Sequence, residues 1–310
     1  MNNIRQIISS IFHSYLFVAL AAILLGVFLP NIFKQLSPYT TVFLGIIFFL
    51  SSLKIDVSNL KREVKDWKVI SWVCIFILFI TPGIIYFLTL KLYAPLALAF
   101  LLLSVMPAGM TSPLLSEFIG GRQSLALVLT MLTSLLAPLT VPFVIKLLAG
   151  HSVTVDLWGM VKLLSLVIYL PFILAQVVKF TNKKIIEKTS PYFKTSSMIL
   201  LGFLIASVVA KQSQFIIEGI NRGGDLIYYL IGLLVLFFIL HILGYFLVFW
   251  RGREDKTTIA ICVTYMNFTL AIELANKFFP EANVLLPVVF SVLPWALLLT
   301  PFGMLVNKKK

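Results

Sequence analysis

Charge is what this chain has least of. Only 12% of its 310 residues are Asp, Glu, Lys or Arg, about half the share of an ordinary soluble domain, and the mean hydropathy is +1.03. A water-soluble globular protein is excluded, and lipid is the solvent for this fold. Cysteine is nearly absent as well. Cys74 and Cys262 both fall inside apolar runs, where a thiol behaves as a small apolar group and no disulfide framework is expected. No Pro/Gly/Ser-rich linker or low-complexity tract divides the chain. Enzyme signatures are missing too: no HExxH, no Walker loop, no GxSxG and no paired acidic clusters for metal-diphosphate chemistry. These absences exclude the common enzyme classes.

What the chain has is apolar runs of about 20 residues. Backbone polar groups in hydrocarbon must be satisfied within the segment, so each run is expected to be a helix. The alternating pattern of a membrane barrel does not occur, and stretches such as Leu233 to Leu240 are apolar on every side. Spans are expected at about 12–32, 38–54, 69–91, 94–119, 123–149, 157–179, 193–211, 225–250, 257–278 and 283–306. The first run follows Arg5 and has no small-residue cleavage site before Pro30, so it reads as a retained span.

The net charge of +13 raises nucleic acid as a partner, but the basic residues sit in alternate loops rather than in one stripe. Membrane topology accounts for them better. With the N-terminus inside, eighteen lie on the inner side: Arg5, Lys54, Lys61, Arg62, Lys65, Lys68, Arg122, Lys179, Lys183, Lys184, Lys188, Lys194, Arg251, Arg253, Lys256 and the tail Lys308 to Lys310. Seven fall outside. This positive-inside bias asks for an even number of spans with both ends cytoplasmic, as expected of a protein of the inner membrane.

Ten spans divide into five and five near His151, and an odd number per half turns the second half over in the membrane. Residues 1–150 and 151–310 are therefore expected to be two inverted five-helix repeats, a recurring plan of secondary transporters. One gapless match supports it: Thr111 to Phe118 in span four aligns with Asn267 to Leu274 in span nine, sharing Leu114/Leu270 and Glu117/Glu273.

Span four carries Met106-Pro107-Ala108-Gly109-Met110-Thr111-Ser112-Pro113, two prolines and a glycine at mid-membrane depth. Pro113 cannot donate to the carbonyl of Gly109, so an unwound segment with a free carbonyl is expected, as is a plain proline kink. Span nine has Thr264, Asn267 and Thr269 at matching depth without proline or glycine, so a break there is only weakly indicated, and interhelical hydrogen bonds are the plain alternative.

Two carboxylates lie inside spans. Glu117 either marks a cation site or pairs with Arg122 at the inner interface. Glu273 either sits buried beside a crossover, where desolvation disfavours the carboxylate and a proton is its natural partner, or pairs with Lys277 at the outer surface. His241 reads as a structural histidine. In span five Ala126, Thr130, Thr133 and Ala137 make one small-residue stripe, a packing face whose hydroxyls also suit a hard cation.

Span two (Val42 to Lys54), the Pro107-x-Gly109-x-x-Ser112 of span four and the Asn267-x-x-Leu270-Ala271 of span nine occur in the order found in one family. The chain resembles the bile acid:sodium symporter superfamily. That likeness implies an all-α membrane fold of ten helices, with spans one, two, six and seven as a panel and the rest as a core. It also implies that spans four and nine are broken and cross, and that substrate binds between core and panel. The activity implied is symport of a small organic anion with sodium, with no other cofactor. A uniporter or proton-coupled exporter of the same fold, or a transport-dead sensor or scaffold, is the alternative.

Carried over by residue, the cation-binding candidates are Ser112, Thr130 and Asn267, joined by Glu273 and Glu117 as replacements for lost charge. The substrate-binding candidates are Thr111, Pro113, Asn267 and Thr269. The family's remaining sodium ligands are replaced by Pro113, Ala126, Ile77, Cys262 and Met266, and two crossover glycines by Thr264 and Thr269, so weak sodium stabilisation is expected.

Overall fold

The computed structural model describes residues 15–54, 66–151, 154–222 and 225–307. Arg5, Lys61, Arg62, Lys65 and the tail 308–310, which entered the topology argument, lie outside the described residues. The described chain is helical, with one isolated antiparallel bridge between Ala108 and Met266.

In chain order the α-helices are α1 (Tyr15–Phe28), α2 (Pro30–Phe33), α3 (Thr40–Ser52), α4 (Trp67–Ile75), α5 (Thr81–Tyr93), α6 (Ala97–Ser104), α7 (Ser112–Phe118) and α8 (Gln123–Ala149). They continue as α9 (Leu157–Thr181), α10 (Lys183–Lys211), α11 (Ser213–Arg222), α12 (Asp225–Phe246), α13 (Arg253–Thr264), α14 (Phe268–Phe278), α15 (Ala282–Phe290) and α16 (Val292–Asn307). Among the described residues, seven runs are long and apolar enough to cross a membrane: Pro30–Ser52, Trp67–Ser104, Gln123–Ala149, Leu157–Thr181, Lys188–Lys211, Ile227–Phe246 and Ala282–Val306. An integral membrane protein follows.

Four of the ten expected spans differ from single continuous helices for local reasons. The first ends at Phe28 before Pro30 restarts the chain, and Phe17–Phe28 is a shorter apolar helix. The third and the first half of the fourth form one run, bent through the short turn Ala94–Leu96. The ninth is two short helices, α13 and α14. Within the third span a π-helical turn, Phe76–Ile80, precedes Pro82. Pro82 has no N–H for the carbonyl four residues back, and the wider turn accommodates the loss.

Two compact units result, each discontinuous in sequence: 1–54 with 169–227, and 55–168 with 228–310. In the first, α10 packs against α1, α2 and α3. Gly26 permits the closest approach there, since a Cβ on it would meet the Ala206 carbonyl oxygen at 2.7 Å, and Ala19 and Ala22 continue the same narrow, buried seam. In the second unit, α5 lies on α6, α15 on α6 and α14, and α8 against α7 and α13. Its core includes Leu101, Leu102, Leu103, Leu129, Ile261 and Leu285, all inaccessible to solvent.

Candidate functional site

The second unit contains two places where an apolar helix stops inside buried surroundings. The chain leaves α6 after Ser104 and re-enters a helix at Ser112; it leaves α13 after Thr264 and re-enters at Phe268. A helix end exposes unpaired N–H and carbonyl groups, which must find partners if buried. Here the two breaks supply them to each other. The Gly109 N–H donates to the Tyr265 carbonyl at 2.8 Å, and the Asn267 N–H donates to the Pro107 carbonyl at 2.9 Å. Gly109 is required by this approach, because a Cβ would fall 2.6 Å from the Tyr265 oxygen.

Side chains complete the junction. The Ser112 hydroxyl donates to the Tyr265 carbonyl (3.1 Å), and the Thr130 hydroxyl donates to the Gly109 carbonyl (3.4 Å). Thr133 Oγ1 accepts the Ala108 N–H (3.2 Å) while donating to the Leu129 carbonyl (2.7 Å). The stripe Ala126, Thr130, Thr133 and Ala137 is buried throughout, so its packing face and its hydroxyls meet the breaks together. Thr133 enters the junction as fully as Thr130, though only Thr130 was carried over by residue as a cation ligand.

Asn267 does two separate things. Its Oδ1 accepts the Leu270 N–H at 3.1 Å and caps α14, while its Nδ2 is buried with no hydrogen-bond partner among the described residues. Thr111 precedes α7 in the position Asn267 holds before α14, so the internal sequence match pairs the residue ahead of one short helix with that ahead of the other. Pro113 is buried in the first turn of α7, where a missing N–H is harmless. The free carbonyl expected at Gly109 is not free: it receives the Ser112 N–H at 2.9 Å and the Thr130 hydroxyl. Thr269 is buried in the first turn of α14.

The two carboxylates part company. Glu273 is 0% exposed, whereas Lys277 is exposed and forms no ion pair among the described residues, so the expected surface pair is not formed. Glu117 is exposed at the end of α7, away from the junction. Arg122, its expected partner, instead belongs to a ring of four charges. Its guanidinium contacts Asp255 at 2.8 Å and Asp66 at 3.4 Å, and Arg251 contacts the same two carboxylates at 2.7 and 2.8 Å. The Arg122 N–H also donates to Thr258 Oγ1 at 2.6 Å, so the ring ties the loop after α7 to the start of α13. The hydrogen bond that Arg251 donates to Asp255 outweighs burial and, with the charges of Asp255 and Asp66, holds Arg251 above the usual guanidinium value.

His241 packs beside the junction. Its Nδ1 lies 2.7 Å from the Phe237 carbonyl, and its ring meets Tyr265 and Phe302 at centroid distances of 5.4 and 4.4 Å. Tyr265 in turn meets Trp295 at 5.7 Å, and Phe268 meets Trp295 at 5.4 Å. Aromatic rings thus brace the residue whose carbonyl is the hub of the junction.

A hard monovalent cation prefers neutral and anionic oxygens. The hydroxyls of Ser112 and Thr130 and the carbonyls of Gly109 and Tyr265 are such oxygens, linked to one another at hydrogen-bond distance. The donor set fits an alkali cation in kind, with Asn267 Oδ1 already committed to the cap.

The chain is similar over most of its length to proteins named as transporters. It is 25% identical over 283 residues to a probable chloroplastic sodium/metabolite cotransporter of Oryza sativa subsp. japonica, covering 88% of this chain and 65% of the relative. This chain therefore spans just under two thirds of the rice protein's length. It is 27% identical over 300 residues to YocS, an uncharacterized sodium-dependent transporter of Bacillus subtilis (strain 168), covering 92% and 89% of the two chains. An uncharacterized protein of the same bacterium, YbaS, is 26% identical over 221 residues, or 69% of this chain and 70% of that one. The model of the SBF-like CPA transporter family matches residues 13–295, and the chain belongs to that family.

Proposed function

We propose that the protein is a secondary transporter that moves a small organic anion by alternating access, coupled to a cation held at the crossing. The observation that carries this reading is the pair of buried helix breaks bridged at Ala108 and Met266. Irregular backbone at membrane depth is tolerated where it is buried in protein or lines a cavity, and transporters place their sites at such breaks.

The dipoles at the junction have both signs. α6 and α13 end there with their carbonyl ends, which favour a cation, and α7 and α14 begin there with their N–H ends, which favour an anion. Ser112 and Thr130 hold the cation with the Gly109 and Tyr265 carbonyls. Thr111, Pro113, Thr269 and the unpartnered Nδ2 of Asn267 face the anion, since a buried amide donor without an acceptor costs about 1–3 kcal/mol and a bound carboxylate relieves it. Neutral oxygens offset the dehydration of sodium only in part, so the cation binds weakly.

The architecture proposed is ten spans, residues 1–150 and 151–310 as inverted repeats, with both termini on the cytoplasmic side of the inner membrane. Supporting it are the charge bias of the loops and the match that aligns Thr111 with Asn267 ahead of the two short helices. One observation favours a second reading of the coupling: Glu273 is wholly buried in α14, and a proton in place of sodium rests on that carboxylate.

The test is uptake of a panel of labelled organic anions into proteoliposomes with an imposed sodium or proton gradient. Accumulation of at least one anion above equilibrium under one gradient is expected. Saturable binding of an anion with no uptake under either gradient contradicts transport and leaves a membrane sensor.

A further inference from the structure

The other compact unit gathers like charges where three apolar runs end. Leu53, Ala175 and Phe193 are buried together, with Phe49, Leu50, Val178 and Ile186 packed around them. This cluster draws the end of α3, the last turns of α9 and the first half of α10 to one place. Lys54 follows Leu53 and Lys194 follows Phe193, so both lysines stand at the margin of the cluster. Lys179 lies one turn beyond Ala175 on the same face of α9.

Nothing among the described residues balances the pair. Neither Lys54 nor Lys194 forms an ion pair with a described carboxylate, and burial, followed by the charge of Lys194, holds Lys54 below the usual lysine value. Two ammonium groups held together by packing repel each other, and the repulsion is greater where water is partly excluded. The Ser52 hydroxyl, two residues before Lys54, is buried with no hydrogen-bond partner among the described residues, while the Ser52 carbonyl accepts from Gln176 Nε2 at 3.4 Å.

Depth identifies the ligand. Pro30–Ser52, Leu157–Thr181 and Lys188–Lys211 are runs apolar enough to cross a membrane, so Lys54 lies just beyond the end of one such run and Lys179 and Lys194 lie near the ends of the others. This is the level of the lipid head groups, where lysines attract anionic lipid. We propose that Lys54 and Lys194 bind a phosphate group at the water–hydrocarbon boundary of this unit, with Lys179 beside them. An anionic phospholipid head group is the source this depth favours, and free phosphate is the other source of the same chemistry.

The experiment measures the thermal midpoint of the purified full-length chain in two arms. In one, nanodiscs of phosphatidylcholine receive increasing fractions of phosphatidylglycerol. In the other, inorganic phosphate replaces chloride at constant ionic strength in detergent. Phosphatidylglycerol should raise the wild-type midpoint saturably, and Lys54→Gln/Lys194→Gln should need about tenfold more of it, a loss of about 1.4 kcal/mol. Lys54→Arg/Lys194→Arg should keep the response. Lys34→Gln/Lys277→Gln, which removes the same charge elsewhere, should also keep it. Stabilisation by inorganic phosphate that the same double variant abolishes assigns the site to a free anion. If the glutamine variant responds like the wild type in both arms, or the charge-matched control loses as much, the site does not exist. Should the double variant fail to fold, Lys194→Gln alone, at an exposed position, gives the same decision with a smaller shift.

Discussion

Gly109→Ala adds one methyl group where the two breaks touch. Its Cβ would stand 2.6 Å from the Tyr265 carbonyl oxygen and 3.1 Å from that of Met266, and both are backbone atoms that no rotamer change removes. Ordinary contact begins near 3.4 Å, so the segments must part by roughly 0.8 Å. That displacement carries the Gly109 to Tyr265 hydrogen bond from 2.8 Å beyond useful range and strains its partner from Asn267 to Pro107. Two weakened backbone bonds at about 0.5–1.5 kcal/mol each, with overpacking of about 1–3 kcal/mol, give a loss of about 2–6 kcal/mol. At about 2–4 °C per kcal/mol, the thermal midpoint of the purified protein should fall by roughly 5–20 °C. Gly83→Ala is the matched control: it lies inside α5 with nothing within 4 Å of the added Cβ, and should be neutral or stabilising by up to about 1 kcal/mol. Equal midpoints for the two variants would refute the close contact and the crossing with it.

The charged ring and the buried carboxylate make further predictions. Asp255→Asn leaves Arg122 and Arg251 short of a carboxylate that is almost wholly buried, and should cost about 1–3 kcal/mol, with a smaller loss at high salt because the arginines are partly exposed. Arg251 is held above its usual value, so its contribution is fully present below the unfolded value and lost only as pH rises through the folded one; stability measured from neutral pH to pH 10 should show no step from this group. Glu273→Gln should remove the pH dependence of uptake if the coupled ion is a proton, and leave it intact if the ion is sodium. Pro113→Ala should change anion affinity less than about twofold, an energy below about 0.5 kcal/mol, since the Gly109 carbonyl already accepts the Ser112 N–H and the Thr130 hydroxyl; a larger change would show that the added N–H competes for that carbonyl.

The sequence was most legible where a residue type has only one use. Pro107, Gly109 and Pro113 announce the break in span four, because no continuous helix suits all three. The matching break in span nine has neither proline nor glycine, and it forms because Asn267 caps α14 and because the partner break supplies hydrogen bonds from about 160 residues away in sequence. Capping was the available signal, an Asn followed three residues on by a helical N–H, but inside an apolar run it looks like an interhelical hydrogen-bonding residue. The same limit applies to the charges. Arg122 has Glu117 five positions before it, yet its partners are Asp66 and Asp255, brought up from other helices. Glu273 and Lys277 have the spacing of a helical pair, but α14 turns the first inward and leaves the second exposed. Spacing along one helix says which residues can meet, and packing decides which face is buried.

The cation at the crossing is tested most directly by a pair of isosteric substitutions on one helix. Thr130 donates to the Gly109 carbonyl at the junction, while Thr140 on the same α8 donates only to its own helix, at the Leu136 carbonyl. Replacing either by valine removes one oxygen and keeps the shape. In gradient-driven uptake of the transported anion, the cation concentration giving half-maximal rate should rise about tenfold for Thr130→Val, equivalent to about 1.4 kcal/mol, and stay at the wild-type value for Thr140→Val. Identical cation dependence in the two variants would contradict a cation held at the crossing of the broken helices.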